Sequence, residues 1–579
     1  MSQQIFGDIR SVVQQTPSAA RWKRLCALME MSSDHELTER VVPYVLSHLD
    51  AWPDAMRTCP AHWLNQLALG EDDHPGLRCV RAVRHERATP EVVRGIVSSA
   101  HLIHPRHIEL SGELRDEDVA MLLHHERLGE VRRLDLSHNL LTDHSARALA
   151  RAESARALTA LSLDDNRIGT QGAQEVLMSP HLIGLVELGL GENLPGEEGA
   201  RALYRRMFTR PDGHRTLKTL RLGGRSERGG SSGGIGWGGL SYILHGEAHT
   251  TSRPQKVFEY IEELSLAANL HGAADAYSNA IRSTPPLELA QQMPAVHTLD
   301  LCANQLGPDH LSTLLAGGLP EHLSTLDLSV NRLGDQGARA LADTLGPHGL
   351  PASLTSLRLA HAMLGGASLE HMTEAQWWTG LEELVLSGNP FARSHALRAL
   401  LDAEPGALRA LALGQCRLEY ADTYALARAE CLRQLERLIL YANEFDDRSL
   451  TLLATSYTLT QLKLLDLSSN PFTDRGVRAL AGGALCQGLE ELSLQDTATS
   501  DEGVRALVSH GVLDGMKRLS LARTEVGDEA ALAIAECPSA RALEHLDLYA
   551  PRVTERGRRA LFASTHLSEA LRRRFEPAA

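Results

Sequence analysis

The sequence feature that most constrains the fold is a Leu-x-Leu pair that returns every 27 residues in the second half of the chain. Each pair is followed by a turn residue and then by an Ala- and Leu-rich segment with helical spacing. A fixed period of this length, with one short strand and one helix per unit, is typical of a solenoid. The pair begins at Leu357, Leu384, Leu411, Leu438, Leu465, Leu492, Leu519 and Leu546.

The same pattern extends toward the N-terminus with longer and less regular steps. A degenerate pair stands at Ile108 and Leu110, and fifteen clear repeats follow it, the last beginning at Leu546. Because a repeat core cannot lengthen without breaking the stack, the extra residues of the longer steps are predicted to leave it as loops. The earlier clear pairs begin at Leu134, Leu161, Leu188, Leu220, Leu264, Leu299 and Leu326.

The longest insertion occupies residues 223–260 and is rich in glycine. This composition predicts a loop that is mobile in the free protein over residues 225–238, and it lacks the Lys-Ser/Thr pair of a phosphate-binding loop. Trp237 and Tyr242 are candidate anchors for a partner, because aromatic side chains dominate binding hot spots. The alternative interpretation is a passive loop.

Most repeats carry an asparagine three residues after the second leucine, where its side chain can satisfy backbone groups that the turn leaves unpaired. Phrases such as Thr473-Asp-Arg-Gly-Val-Arg-Ala-Leu480 then predict a helix start, with a capping residue and an acid near the positive end of the helix dipole. The asparagines are Asn139, Asn166, Asn193, Asn269, Asn304, Asn331, Asn389, Asn443 and Asn470.

In period, Leu-x-Leu-x-x-Asn motif and helix phrase, residues 106–561 resemble the leucine-rich repeat family, specifically its ribonuclease-inhibitor-like class. The resemblance implies an α/β leucine-rich-repeat solenoid, a horseshoe with a parallel sheet on the concave side and helices outside. The Ala- and Arg-rich style, with a leader that has no repeats, is similar to bacterial members.

The two ends of the chain lack the repeat. Residues 1–105 have helical spacing of apolar residues and are predicted to form an all-helical cap over the open end of the solenoid. A stretch from Val42 to Trp63 resembles an F-box, which implies a recruiting module instead, although the usual opening Leu-Pro is missing. Residues 562–579 are predicted to form a C-terminal capping helix, whose basic end suits a helix C-terminus.

Composition limits the classes of partner. A net charge of −15 disfavours binding to nucleic acid or anionic lipid and favours a protein partner with a basic face. The eight cysteines are scattered without a Cys-x-x-Cys pair, which indicates reduced thiols. The N-terminus shows no long apolar segment, so we expect neither a signal peptide nor a membrane span and expect a cytoplasmic protein.

The sequence favours a protein that is not an enzyme. His245 and His249 are four residues apart, but the neighbouring glycines argue against the rigid helix that a metal-binding pair needs. No nucleophile elbow or nucleotide fingerprint stands in a suitable context. We therefore expect no catalytic residue, metal or cofactor.

The sequence predicts a binding scaffold that grips a protein partner through the concave face. Residues just before, between and after the paired leucines should point to that face. Two alternatives are a regulator of a small GTPase, since one GTPase-activating family resembles this repeat class, and an adaptor whose first 105 residues recruit a second protein. The candidate partner-binding residues are Ile439, Tyr441, Leu464, Asp466, Asp496, Arg518, Arg523 and Tyr549, together with Trp237 and Tyr242.

Overall fold

The computed structural model describes residues 3–124, 126–209, 216–223, 235, 240, 242–243, 258–268, 289–316, 318–345, 353–373, 380–391, 396–402 and 408–576. Trp237, Asn269 and, apart from Ile235, the segment 225–238 that is predicted to be mobile lie outside the described residues. The chain divides into two compact units: unit 1 comprises residues 1–287 and 291–299, and unit 2 comprises residues 288–290 and 300–579.

The described residues contain seventeen strands, and each of the fifteen clear Leu-x-Leu pairs begins within one of them. In unit 1, strands β1 to β7 pair in parallel in chain order, and in unit 2, strands β9 to β17 do the same. The strands are β1 Ala82–Ala88, β2 His107–Gly112, β3 Arg133–Asp135, β4 Ala160–Ser162, β5 Glu187–Gly189, β6 Thr219–Arg221, β7 Glu263–Ser265, β8 Thr298–Asp300, β9 Thr325–Asp327, β10 Ser356–Arg358, β11 Glu383–Val385, β12 Ala410–Ala412, β13 Arg437–Ile439, β14 Leu464–Asp466, β15 Glu491–Ser493, β16 Arg518–Ser520 and β17 His545–Asp547.

A helix follows most strands, and helices of neighbouring repeats contact one another as the strands do. This alternation confirms the predicted fold class, an α/β leucine-rich-repeat solenoid. In the repeat region the helices are Asp116–Leu123, Asp143–Arg151, Thr170–Met178, Gly196–Thr209, Leu289–Gln292, Pro308–Leu315, Gly334–Leu345, Gly366–Thr373, Ala396–Asp402, Tyr420–Arg428, Asp447–Ala454, Asp474–Ala481, Asp501–Ser509, Asp528–Ala535 and Glu555–Ala563, and a short helix Glu569–Arg573 follows.

The N-terminal region contains the predicted helices but is not entirely helical. Strand β1 lies within residues 1–105 and pairs in register with β2, so the strand ladder begins about 25 residues before the first recognisable pair. This strand was missed because its residues Arg84 to Arg87 are polar and it lacks Leu-x-Leu. The helices are Gln3–Val13, Ala19–Glu30, Asp34–Glu36, a π-helical turn Leu37–Val41, Val42–Leu46, Ala61–Leu69 and Pro90–Ser98.

The core of each repeat is formed by both leucines of the pair and by apolar residues of the following helix. In two neighbouring repeats of unit 2, Leu438 and Leu465 and their partners Leu440 and Leu467 are at most 1% exposed. The side chain between the two leucines points to the opposite side, as strand alternation requires. We call the surface formed by these outward residues and by those that flank the pair the sheet face.

The asparagines satisfy backbone groups at the turns, as the sequence predicts, and they also join consecutive repeats. Asn443 Oδ1 accepts a hydrogen bond from the Leu418 N–H at 3.0 Å, and its Nδ2 donates to Leu413 O at 2.9 Å and to Leu440 O at 3.0 Å. Each side chain therefore satisfies backbone groups of its own repeat and of the preceding one. The same arrangement occurs at Asn139, Asn166, Asn193, Asn331, Asn389 and Asn470.

The acid at the start of many helices caps the helix of the next repeat. Asp474 accepts hydrogen bonds from Ser500 N–H at 2.7 Å, Ser500 Oγ at 2.6 Å and Gly503 N–H at 2.9 Å. The free N–H groups of a helix start are thus satisfied from outside the helix. We call this series the aspartate ladder; its members are Asp116, Asp143, Asp335, Asp447, Asp474, Asp501 and Asp528.

Within the described residues, none of the helices combines the length and apolar character that a membrane span requires.

Candidate functional site

The eight predicted partner-binding residues between 439 and 549 all lie in unit 2, on or beside the consecutive strands β13 to β17. Ile439 stands opposite Asp466, and Leu464 stands opposite Glu491, which in turn stands opposite Arg518. Paired strands are about 4.8 Å apart, so these side chains are neighbours across the sheet. The structure therefore brings the predicted residues of this region onto one surface.

An apolar strip crosses the sheet face at the third position of β11, β12 and β13. Val385 stands opposite Ala412, and Ala412 stands opposite Ile439. Leu464 on β14 continues the apolar surface at the first strand position and is half-buried. We call Val385, Ala412, Ile439, Tyr441 and Leu464 the apolar strip. Val385 and Ala412 are absent from the predicted site, although their position within the 27-residue period could have identified them.

The two predicted tyrosines have different environments. The ring of Tyr441 lies over Gly414, where a Cβ atom would come within 2.3 Å of Tyr441 Cε1. Glycine at 414 therefore provides the space that the ring occupies. The Tyr549 side chain, in contrast, is 79% exposed. Tyr441 is packed at the edge of the apolar strip, whereas Tyr549 extends into solvent.

Beside the apolar strip lies a shallow depression of about 450 Å³ that extends from β14 to β17. Asp466 Oδ1 accepts a hydrogen bond from the Ser468 N–H at 2.9 Å, and Ser468 Oγ lies 2.7 Å from Ser493 Oγ. Ser493 and Ser520 have small side chains, so the surface between Asp466 and Asp547 lies below the surrounding side chains. Its remaining lining residues are Leu464, Leu465, Glu491, Leu492, Arg518, Leu519 and His545.

Charged residues surround this depression with few ion pairs. Arg518 Nη1 is 3.6 Å from Glu491 Oε2, a loose pair on the surface. Asp496 and Arg523 lie in the turns that follow β15 and β16, with φ of 56° and 54°, and both are exposed. Ser469 Oγ donates to Asp496 Oδ2 at 3.1 Å. The rim of the site therefore offers both signs of charge to a partner.

Of the two predicted loop residues, the structure describes Tyr242. Tyr242 lies in unit 1, where its ring centre is 5.2 Å from that of Tyr204 and 5.6 Å from the Arg201 guanidinium. It is half-buried by these contacts instead of extending as a free anchor. Trp237 lies outside the described residues.

The sheet face of unit 1 carries cross-strand ion pairs. Arg133 donates to both carboxylate oxygens of Glu187 at 2.7 and 2.6 Å. Arg221 Nε donates to Asp164 Oδ2 at 2.8 Å. Acidic residues of this face are thus partly neutralised by arginines, as Glu383 is by Arg358 in unit 2, and this face lacks a comparable apolar strip in the part of unit 1 that is described.

One group of side chains in the described residues has the spacing of metal ligands. Ligand atoms of Asp300, Cys302 and Asp327 all lie within 4.8 Å of one another. Burial raises the pKa of Asp327 and the nearby Asp300 carboxylate raises it further, against the opposing effect of hydrogen bonds from Ser329. Cys302, two residues after Asp300, donates its backbone N–H to Asp300 Oδ1 at 3.0 Å.

Comparison with known proteins agrees with the strand and helix pattern. Residues 155–177, 320–342 and 458–481 match the sequence model of the family described as Leucine Rich repeat. These three segments are similar to leucine-rich repeats. Each matched segment includes helical residues of a repeat.

Several solved leucine-rich repeat structures are similar at low identity. An internalin, InlF, from Listeria monocytogenes is 16% identical over 76% of this chain and 94% of its own, with a TM-score of 0.35. The ectodomain of the Arabidopsis thaliana receptor kinase GASSHO1/SCHENGEN3, bound to CASPARIAN STRIP INTEGRITY FACTOR 2, is 16% identical over 84% of this chain and 58% of its own, with a TM-score of 0.31. TLR13 in complex with ssRNA13 is 15% identical over 85% and 59%, with a TM-score of 0.37.

Proposed function

We propose that this protein is a non-enzymatic scaffold that binds a protein partner through the sheet face of unit 2. The observation that carries the proposal is the apolar strip, which lies beside a shallow depression and a rim of exposed charges. An apolar centre within a polar rim is the usual anatomy of a protein interface. In this proposal the protein is a ribonuclease-inhibitor-like leucine-rich repeat protein of bacterial type that acts in the cytoplasm without a cofactor.

We propose further that the partner presents an apolar side chain beside a basic one. Asp466, Asp547 and Asp496 place carboxylates around the depression, and the whole chain has a net charge of −15. A basic side chain that rests on Ser493 and Ser520 would lie between two of these carboxylates. Complementary charge of this kind raises association rates and selects partners, while the apolar contacts supply most of the affinity.

We also propose that residues 1–105 cap the solenoid, that residues 106–561 form its repeats and that residues 562–579 cap its end. The pairing of β1 with β2 supports the capping role, because β1 covers the edge of the first recognisable repeat. Cys59 and Trp63, which carry the F-box resemblance, are 5% and 1% exposed and pack in the core of this region.

The test is to capture the partner from the source organism and to measure its affinity for substituted proteins. Tyr549→Ala should weaken binding by about 1–3 kcal/mol while leaving thermal stability nearly unchanged, because the side chain is exposed. Tyr441→Ala should weaken binding by a similar amount with some loss of stability. Gly414→Ala should also weaken binding, because the added Cβ displaces the Tyr441 ring.

Arg478→Ala and Arg505→Ala on the helices provide matched controls that should bind normally. If these two abolish binding and the tyrosine variants bind as the wild type does, the outer helices carry the function and the proposal is wrong.

A further inference from the structure

The helix Tyr420–Arg428 presents an unusual surface to solvent. Tyr420 and Tyr424 are 51% and 52% exposed, and they form one column with Arg428, whose guanidinium lies 4.7 Å from the centre of the Tyr424 ring. Ala421 and Ala425 form a second column beside the first, since residues four apart lie one above the other on a helix. The outer face of this helix is therefore a ridge of large side chains next to a groove of small ones.

The same helix lacks the aspartate of the ladder, as the two preceding repeats do with Gly366 and Arg393 at the equivalent position. Tyr420 stands nine residues after the first leucine of its repeat, where the next four repeats have Asp447, Asp474, Asp501 and Asp528. The following helix consequently has a different cap: Asp446 accepts from its own helix, from Arg448 N–H at 3.1 Å and Ser449 N–H at 2.9 Å. An exposed tyrosine thus replaces a residue with a structural role, and the loss is compensated locally.

This face lies beside a depression of about 750 Å³ on the surface of unit 2. Leu401 and Asp402 of the preceding helix form one side of it, and the two columns form the other. Leu401 is 6% exposed and closes its floor. An apolar, aromatic-rimmed depression of this kind is uncommon on the polar helix surface of a soluble protein.

We propose that this face binds the same face of a second copy of the chain. In an antiparallel arrangement about a two-fold axis, the ridge of one helix enters the groove of the other, so that Tyr424 of each copy packs on Ala425 of its twin. Ridges formed by residues four apart interdigitate in this manner when two helices cross at about −50°. Two-fold contacts require such a self-complementary surface.

The charges at the two ends of the face have the complementarity that this arrangement needs. Glu419 precedes the helix and Arg428 ends it, and neither forms an ion pair with another described residue. In the antiparallel pair, Arg428 of one copy lies beside Ala421 of the other. Ala421 follows Glu419 by two residues, which is about 3 Å along the helix axis. Each interface would therefore contain two equivalent Glu419–Arg428 pairs.

Sedimentation velocity of the full chain over a range of concentrations tests the proposal. The wild type should form dimers in the micromolar range, as expected for a small interface. Tyr420→Ala and Tyr424→Ala should each raise the dissociation constant at least about tenfold. Arg505→Ala, an exposed position on the helix Asp501–Ser509, should dimerise as the wild type does. A wild type that stays monomeric at several hundred micromolar (about 500 µM) overturns the proposal.

Reversing the charges of Glu419 and Arg428 tests whether these two residues meet in the dimer. Glu419→Arg and Arg428→Glu, each measured alone, should weaken dimerisation because like charges meet. An equimolar mixture of the two variants should dimerise again, since every pair then joins opposite charges. Melting temperatures close to the wild-type value show that each variant is folded. If the mixture associates no better than either variant alone, the proposed antiparallel contact is wrong.

Discussion

At the scale of single residues, stability depends on side chains that pack both within their own repeat and against the neighbouring repeats. Leu467 is 0% exposed, and its neighbours in the adjacent repeats, Leu440 and Leu494, are equally buried. A side chain in such a stack cannot be removed without leaving a cavity, because the neighbouring repeats are held in place by strand pairing.

Leu467→Ala should therefore lower the free energy of unfolding by about 2–5 kcal/mol. Chemical denaturation measures the change, and Arg475→Ala, an exposed position on the next helix, should change stability by less than about 0.5 kcal/mol. A loss at Leu467 as small as that of the control would contradict the register of the repeats.

A second prediction at this scale concerns the Asp327 carboxyl group, whose pKa is raised in the folded protein mainly by burial. A group of this kind destabilises the folded state once it ionises, so stability is lost as the pH rises from about 4 through the raised pKa. Asp327→Asn should therefore raise stability at pH 7 and leave it nearly unchanged at pH 4 or below. Denaturation at several pH values checks this, and a gain that is equal at pH 4 and pH 7 would argue against it.

At the scale of elements, a helix capped by the aspartate ladder depends on the preceding repeat for its cap. The Asp474 carboxylate accepts from the N–H of Ser500, the N-cap residue of the helix Asp501–Ser509, and from the N–H of Gly503 within that helix. The sequence predicts such acids near the positive end of their own helix dipole, where they do lie, but their hydrogen bonds are made across the repeat boundary.

Asp474→Ala should lower the free energy of unfolding by about 1–2 kcal/mol, because Ser500 and Gly503 N–H groups lose their acceptor. Asp514→Ala removes an exposed carboxylate without removing a cap and should change stability by less than about 0.5 kcal/mol. Hydrogen exchange of the helix Asp501–Ser509 should accelerate only in the first variant. Equal losses in the two variants would show that the contact between repeats contributes little.

At the scale of the whole molecule, charges alternate along the repeats of unit 2 just before the strands. Arg409 Nη1 lies 2.9 Å from Glu436 Oε1, Lys463 Nζ lies 2.7 Å from Glu436 Oε2, and Lys517 Nζ lies 2.5 Å from Glu490 Oε2. Successive positions in this series are 27 residues apart, so the charged side chains form one row that crosses several repeats. Each pair is exposed and weak, so its effect is visible chiefly when a charge is reversed.

Lys463→Glu should lower the free energy of unfolding by about 1 kcal/mol at low salt, because three adjacent carboxylates then repel one another. The loss should shrink in 1 M salt, where the screening length is about 3 Å. Lys463→Gln serves as the control, since it removes the pair without creating repulsion. A loss that is independent of salt would mean that the substitution acts through packing.

The repeats, their register and the buried leucines could be predicted from the amino-acid sequence alone. These follow from residues that recur at a fixed period, because every unit must present the same apolar positions to the same core. Ile439, Tyr441, Leu464 and Asp466 could be assigned to one surface for the same reason.

The contacts that join one repeat to the next could be recognised only in the three-dimensional structure. The strand β1 carries no leucine pair and forms because β2 offers it a parallel edge. The Tyr441 ring rests on Gly414, 27 residues earlier in the chain, and the Asp474 carboxylate caps a helix that begins 27 residues later. A period shows which residues become neighbours, but side-chain conformation, hydrogen-bond partners and exposed columns such as that of Tyr420 and Tyr424 depend on how the neighbouring units pack.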